Sequence, residues 1–123
     1  MNPWQFDVLV TTNLFGDILS DLTSGLVGGL GMTPGANIGE QAAIFEAVHG
    51  SAPDIAGKGI ANPTALLMAA AMMLDYVKRK DLGDRLRQAI DDVLNKDNIR
   101  TGDLGGKATT DEYAKALVAR VRG

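Results

Sequence analysis

The sequence predicts an α/β fold, with a β-sheet and flanking helices. Two short apolar runs, residues 6–12 and 42–48, have the length and composition of buried strands. Between and after them lie longer segments with helical periodicity and recognisable helix starts. Because two strands with several helices make a poor stand-alone sheet, we expect the chain to be the end of a longer fold.

The first part of the chain is predicted to hold a strand and a helix. Residues 6–12 (FDVLVTT) form the strand, and Asn13 caps the helix that follows. Apolar residues recur along this helix at helical spacing, at Leu14, Ile18, Leu22 and Leu26. The same spacing brings Asp17 and Asp21 together on another face of the helix.

The middle of the chain is predicted to hold a crossing segment, a strand and a constrained loop. Residues 25–39 contain six glycines, which suit close packing and would be costly in a long helix. Residues 42–48 form the second strand and lead into residues 49–63 (HGSAPDIAGKGIANP), with the only histidine and two of the four prolines. Surface loops that are constrained in this way usually bind something.

Three helices are predicted after this loop, over residues 63–78, 82–94 and 109–121. Asn62 caps the first helix, and Pro63 takes its first position. The second helix is amphipathic and is expected to turn its apolar side chains inward. A loop over residues 101–107 (TGDLGGK) precedes a capping box of Thr109 and Glu112, which opens the last helix.

Composition narrows the classes of function. The 123 residues include no cysteine, so thiolate metal sites are excluded and a reducing cytoplasm or organelle matrix is expected. All 12 lysines and arginines lie at Lys58 or later, whereas residues 1–57 carry six acids and no base. An acidic segment without counterions of its own favours a cation as partner. Because the chain has no basic stripe and no membrane-length apolar run, we expect neither nucleic acid nor a membrane as partner.

Asp17 and Asp21 are candidate metal ligands. Carboxylates at positions i and i+4 project from adjacent helical turns, and a divalent cation would remove their repulsion. Mg²⁺ or Mn²⁺ accepts a partial protein shell, which substrate and water complete. On spacing alone, a solvated acidic helix face is the commoner explanation of such a pair. Both interpretations stay open at this point.

The constrained loop is a candidate nucleotide site. Its glycines and prolines suggest a rigid backbone whose N–H groups can approach a phosphate or an adenine ring. The loop matches neither G-x-G-x-x-G nor the P-loop pattern. Asp54 is placed to accept hydrogen bonds from ribose hydroxyls and would repel a 2′-phosphate. Purely structural roles are equally open, because His49 can be a hydrogen-bonded structural residue, Asn62 a helix cap and Asp103 a simple loop residue.

Four stretches together closely resemble the C-terminal portion of the β-decarboxylating dehydrogenases. They are NLFGDILSD, the glycine-rich crossing, IFEAVHGSAPDIAGKGIANPTA and TGDLGG. That family includes isocitrate, 3-isopropylmalate, homoisocitrate and tartrate dehydrogenases, and the resemblance covers essentially the whole chain. It implies a C-terminal fragment of the isocitrate/isopropylmalate dehydrogenase-like fold. Residues 1–27 would end the small domain, and residues 28–123 would belong to the large, cofactor-binding domain.

The resemblance also implies which residues form the site. Asp17 and Asp21 match the two family aspartates that ligate Mg²⁺ or Mn²⁺. The residues that match cofactor contacts are Glu46, His49, Gly50, Ser51, Ala52, Asp54, Ile55, Asn62 and Asp103. Asp54 and Ile55 resemble the pair found in NAD-dependent members, and Gly106 stands where NADP forms tend to carry an arginine. NAD is therefore the expected cofactor.

The implied reaction is oxidation of a 2-hydroxy acid by NAD, followed by loss of CO₂. Residues 45–48 (FEAV) resemble isocitrate dehydrogenases, so isocitrate is the expected substrate and 3-isopropylmalate the alternative. The full enzyme would be a homodimer. No residue here matches the family's catalytic tyrosine and lysine, so we assign no catalytic residue and expect no dehydrogenase activity from this chain alone. A non-catalytic fragment that binds nucleotide or assembles with another subunit is the alternative from a different class.

Overall fold

The computed structural model describes residues 2–123, and it confirms the predicted mixture of helices and sheet. The regular elements are α1 (Asn13–Leu26), β1 (Pro34–Ile38), β2 (Ala43–Ala47), α2 (Thr64–Tyr76), α3 (Lys80–Asp91) and α4 (Thr110–Arg122). A π-helical turn, Asp92–Lys96, prolongs α3. Short 3₁₀ turns lie at Pro3–Gln5, Leu30–Met32, Pro53–Ile55 and Gly102–Leu104. In this part of the chain, each helix is too short or too polar to cross a membrane.

The predicted strand over residues 6–12 is wrong. These residues form neither helix nor strand and are exposed, with Val10 91% accessible to solvent. A β-branched run becomes a strand only where a neighbouring strand pairs with its N–H and C=O groups. Among residues 2–123 the sheet has two strands, β1 and β2, so the run over 6–12 has no pairing partner there.

Helix α1 forms where helical spacing predicts it, but its start differs from the prediction. Asn13 is the first helical residue, and Thr12 takes the N-cap position without a side-chain hydrogen bond. The apolar residues at helical spacing along α1 stay largely exposed. At its other end the helix is tied to the next segment, because the N–H of Gly29 donates to the Ser24 carbonyl at 2.8 Å.

A β-hairpin follows, and one of its strands is missing from the sequence prediction. β1 pairs antiparallel with β2, with Pro34 opposite Ala47 and Ile38 opposite Ala43. The Gly39 N–H donates to the Ala42 carbonyl at 2.9 Å and closes the turn between the strands. The six glycines of residues 25–39 predicted a crossing segment instead of a strand, although proline and glycine at the start of β1 are compatible with the edge of a sheet.

Helix α2 covers one face of the hairpin. The rings of Phe45 on β2 and Tyr76 on α2 lie 5.6 Å apart at an angle of 58°. The opposite face of the hairpin is open, and Ile44 is exposed there. Small residues, among them Ala69 and Ala71, are the buried positions of α2 and allow the neighbouring elements to approach closely.

The core lies between α2, α3 and α4. Its buried apolar members are Ala89, Ile90, Val93, Tyr113 and Leu117. The Thr64 hydroxyl donates to the buried Tyr113 phenol oxygen at 2.9 Å, and burial raises the pKa of Tyr113. The predicted capping box of Thr109 and Glu112 is confirmed at the start of α4. This core holds the beginning of α2 against α4, and the site is built at that end.

Candidate functional site

Two loops face each other across a cavity of about 620 Å³. One loop runs from the end of β2 to the start of α2, and the other follows the π-helical turn. Seven of the nine residues predicted to contact the cofactor line the cavity: His49, Gly50, Ser51, Ala52, Ile55, Asn62 and Asp103. The volume lies within the range of roughly 300–1,000 Å³ that is typical of small-molecule sites. Residues that are 41 or more positions apart in sequence therefore converge on one space.

The loop after β2 owes its shape to left-handed backbone conformations. Ala52 has φ 42° and ψ 57°, an uncommon conformation for a residue with a side chain, and Pro53–Ile55 then forms a 3₁₀ turn. Gly57 and Gly59 have φ of 75° and 64°, where glycine avoids the steric cost. His49 Nδ1 lies 2.9 Å from the Gly50 carbonyl oxygen, so a protonated Nδ1 donates to it. These backbone angles and this hydrogen bond define the path of the loop along the cavity.

Asn62 joins the two loops and also starts α2. Its Nδ2 donates to Asp103 Oδ2 at 2.9 Å, and its Oδ1 accepts the Thr64 N–H at 3.0 Å. The predicted capping hydrogen bond is therefore present, although Pro63 occupies the N-cap position rather than the first helical position. The second Nδ2 hydrogen donates to Met32 Sδ at 3.4 Å, so both amide hydrogens have partners within the protein.

Thr101 is a part of this site that the sequence predictions missed. It is completely buried, and its hydroxyl donates to Asp103 Oδ1 at 2.5 Å. Its carbonyl accepts the N–H groups of Leu104 and Gly106, at 3.1 and 3.0 Å, and so closes the turn. Threonine and aspartate both tend to form local hydrogen bonds in turns, and their spacing of two residues in a glycine-rich segment is a signal that could have identified Thr101.

Gly106 has a steric reason to be glycine. A Cβ at this position would lie 1.9 Å from the Arg100 carbonyl oxygen and 2.7 Å from the Arg100 Cβ. Any larger residue would force the two backbone segments apart. Packing alone therefore explains why no arginine stands at this position. Glycine at position 106 supports NAD over NADP less strongly than the family resemblance suggests.

Asp54 and Glu46 lie outside the cavity. Asp54 is exposed in the 3₁₀ turn, next to the lining residue Ile55. Glu46 is exposed on β2, where its Oε1 accepts from Asn37 Nδ2 at 3.0 Å across the hairpin. Their contacts with a cofactor stay predictions.

Asp17 and Asp21 lie one turn apart on α1, and both are exposed. None of the ion pairs in the described part of the chain involves either residue. Among residues 2–123 no three His, Cys, Asp or Glu side chains cluster as a complete metal site. The pair fits the partial shell of hard oxygen ligands that Mg²⁺ accepts, with the other ligands coming from water, substrate or further protein groups.

Ion pairs instead concentrate on the C-terminal helices. Arg87 reaches from α3 to Asp75 on α2, and this hydrogen bond lowers the pKa of Asp75. Arg120 likewise pairs with Asp97 and lowers the pKa of that carboxyl. These contacts hold the helices together far from the cavity. The acids of residues 2–57 have no such protein partners among the described residues, in keeping with the uneven charge of the sequence.

Comparison with known proteins identifies the family. A family profile described as isocitrate/isopropylmalate dehydrogenase matches residues 1–117. The chain belongs to the isocitrate/isopropylmalate dehydrogenase family. An isocitrate/homoisocitrate dehydrogenase of Thermus thermophilus is 60% identical over 122 residues, which cover 99% of this chain and 36% of that protein. Subunit 2 of the mitochondrial NAD isocitrate dehydrogenase of Schizosaccharomyces pombe is 53% identical over 121 residues, 98% of this chain and 32% of the relative.

Other family members extend the comparison to a second substrate and to a solved structure. The 3-isopropylmalate dehydrogenase of Archaeoglobus fulgidus is 52% identical over 119 residues, 97% of this chain and 36% of that protein. A crystal structure of isocitrate dehydrogenase from Methylococcus capsulatus superposes with a TM-score of 0.91 at 58% identity. The superposition covers 100% of this chain and 37% of the Methylococcus capsulatus chain. The chain thus spans about a third of the length of these family members.

Proposed function

We propose that this chain supplies the cofactor loops and two metal ligands of an NAD-dependent isocitrate dehydrogenase. The complete enzyme would oxidise isocitrate and decarboxylate it to 2-oxoglutarate, acting as a homodimer in the cytoplasm or an organelle matrix. The observation that carries this proposal is the convergence of the loop of residues 49–62 and the turn of residues 101–106 on one cavity. Membership of a β-decarboxylating dehydrogenase family supplies the reaction class.

The cavity has the chemistry to hold the adenosine end of the cofactor. Asp103 offers a carboxylate acceptor, and each of its oxygens keeps a lone pair beside its one protein donor. No lysine or arginine of residues 2–123 lines the cavity. A 2′-phosphate would find no lysine or arginine in that lining, and Asp54 beside the cavity would repel it, so we expect NAD rather than NADP.

Asp17 and Asp21 would hold the divalent cation in the complete enzyme. Mg²⁺ or Mn²⁺ would supply Lewis acidity, which polarises the carbonyl of the oxidised acid and stabilises the enolate that decarboxylation leaves. The contribution of this chain is two carboxylate ligands without competing lysines or arginines nearby in the sequence. We assign no acid or base of the reaction to residues of this chain, and we expect the chain alone to lack dehydrogenase activity.

The substrate is proposed from residues 45–48 (FEAV), which resemble isocitrate dehydrogenases. The names of the relatives include isocitrate, homoisocitrate and 3-isopropylmalate, so the family alone does not choose between these acids. Steady-state kinetics of the full-length enzyme with isocitrate and with 3-isopropylmalate decide the question. A higher kcat/KM for 3-isopropylmalate would replace isocitrate by the alternative.

A chimera tests cofactor and metal dependence. This chain replaces the 122 matched residues of the Thermus thermophilus relative, and NADH formation from isocitrate is measured. We expect activity that requires Mg²⁺ or Mn²⁺ and that falls by several orders of magnitude in Asp17→Asn and Asp21→Asn. Asp7→Asn, which removes an acid elsewhere in the same base-free segment, is the matched control and should stay active. A folded chimera without activity, or one that keeps full activity in the Asp17→Asn, Asp21→Asn double variant, would refute the proposal.

A further inference from the structure

Thr101 is the buried end of a chain of hydrogen bonds that reaches the cavity. Its hydroxyl is enclosed by protein, with 0% of the residue exposed, and it donates to Asp103 Oδ1 at 2.5 Å. The other carboxylate oxygen of Asp103 accepts from Asn62 Nδ2 at 2.9 Å. Thr101 itself does not line the cavity. It can therefore affect a ligand only through the residues that it holds.

The two donors fix the plane of the Asp103 carboxylate. Each oxygen has one protein donor and keeps a second lone pair for a ligand. Asp103 is otherwise an exposed side chain, which would sample several rotamers without these bonds. Asn62 is fixed at the same time, because its oxygen accepts the Thr64 N–H at 3.0 Å. The network thus restricts the orientation of a carboxylate that lines the cavity.

We infer that Thr101 is a positioning residue for recognition of an amino-bearing purine, an inference that rests on the proposed function. The Thr101 hydroxyl holds the Asp103 carboxylate so that its remaining lone pairs face a hydrogen-bond donor of the ligand. The 6-amino group of adenine is such a donor, whereas the 6-oxo group of hypoxanthine is an acceptor and would face the carboxylate unfavourably. Selectivity for the adenine cofactor then depends on a residue that never touches it.

The experiment compares two substitutions in the chimera with the Thermus thermophilus relative, which supplies the part of the enzyme that this chain does not span. Thr101→Val keeps the volume and removes the donor, whereas Thr101→Ser keeps the donor. Calorimetry measures binding of NAD and of nicotinamide hypoxanthine dinucleotide, which carries an oxo group in place of the amino group. We expect Thr101→Val to weaken NAD binding about tenfold and the hypoxanthine analogue about twofold or less. Thr101→Ser should stay within about twofold of the parent for both ligands, because the hydroxyl is retained.

A spectroscopic readout separates positioning from general structural damage. In nuclear magnetic resonance spectra, the Asn62 side-chain amide should be shifted by its bond to Asp103 in the parent and in Thr101→Ser. It should move toward the position of a free amide in Thr101→Val, while the signals of the α2–α4 core stay unchanged. Equal weakening of both ligands in Thr101→Val, or an unmoved Asn62 amide, would overturn the inference.

Failure of the proposed function gives a different result. If the parent chimera binds neither dinucleotide, the cavity is not a cofactor site, and ligand recognition through Thr101 is ruled out as well. If the parent binds NAD but Thr101→Val binds it equally well, the proposed function stands and only the role of Thr101 is wrong. A double variant with Asp103→Ala adds a further check, because Thr101→Val should have no additional effect on binding once the carboxylate is gone.

Discussion

Substituting alanine for Gly106 is the sharpest stability test that the fold offers. The new Cβ would lie 1.9 Å from the Arg100 carbonyl oxygen, whereas real Cβ atoms essentially never come closer than 3.0 Å to another heavy atom. The two segments must therefore separate by about 1 Å or more. That movement strains two backbone hydrogen bonds, from Gly106 N–H to the Thr101 carbonyl at 3.0 Å and from Ala108 N–H to the Arg100 carbonyl at 2.9 Å. We expect Gly106→Ala to lower the free energy of unfolding by about 3 kcal/mol.

Gly102→Ala is the matched control in the same turn. A Cβ at Gly102 meets nothing within 4 Å, so we expect the free energy of unfolding to change by less than about 1 kcal/mol. Urea denaturation followed by far-ultraviolet circular dichroism gives both values. If Gly106→Ala costs no more than Gly102→Ala, the close approach to Arg100 is not a feature of the folded chain, and the steric account of Gly106 fails.

Three further predictions concern the helices, and urea denaturation checks each of them. Tyr113→Phe leaves the buried Thr64 hydroxyl without its acceptor and should lower the free energy of unfolding by about 1–2 kcal/mol. A Thr64→Val, Tyr113→Phe double variant should lower it by less than the sum of the two single changes. Lys78 follows Val77, the C-cap of α2, and has φ 65°, so Lys78→Gly should raise the free energy of unfolding by about 0.5–1 kcal/mol; a loss of stability would contradict this reason. The hydrogen bond from Arg87 lowers the pKa of Asp75 in the folded chain. The pair therefore stabilises the fold fully at pH values above the pKa that Asp75 has in the unfolded chain, and this stabilisation is lost as the pH falls through the lower pKa of the folded chain. Stability should therefore fall more steeply below about pH 4 in the parent than in Arg87→Met, and parallel pH profiles would contradict the assignment.

The sequence predicts the helices well because their signals are local. Helical spacing locates α1, α2, α3 and α4, and the capping box of Thr109 and Glu112 marks the start of α4. Strands depend on distant pairing, and both strand errors follow from this. Residues 6–12 have strand composition but no partner among the described residues, whereas β1 forms despite its proline and glycine because β2 lies alongside.

The candidate site is predictable where the chain itself is unusual. The constrained loop points to His49, Gly50 and the residues that follow, and the structure arranges several of them around one cavity. Thr101 is harder to predict, because its importance comes from burial and from one bond to Asp103. The reason for glycine at position 106 is equally invisible in sequence, since it depends on the path of the Arg100 backbone.

The distribution of charge bears on both the proposed metal ligands and the proposed cofactor cavity. The first 57 residues carry six acids and no base, and the ion pairs of the described residues all lie on the C-terminal helices or the turns beside them. Exposed acids without partners favour a bound cation at Asp17 and Asp21. Among residues 2–123 no lysine or arginine lines the cavity, which favours a dinucleotide without a 2′-phosphate. Both expectations follow from the distribution of charge, independently of the shape of the loops.

A titration of the isotopically labelled chain with NAD, followed by nuclear magnetic resonance, tests the central claim most directly. We expect saturable shifts that concentrate on residues 49–62 and on Gly102 and Asp103, with weaker effects from NADP and little change along α1 without added metal. No saturable shift at millimolar NAD, or shifts centred away from the cavity, would contradict the assignment of this cavity to the cofactor.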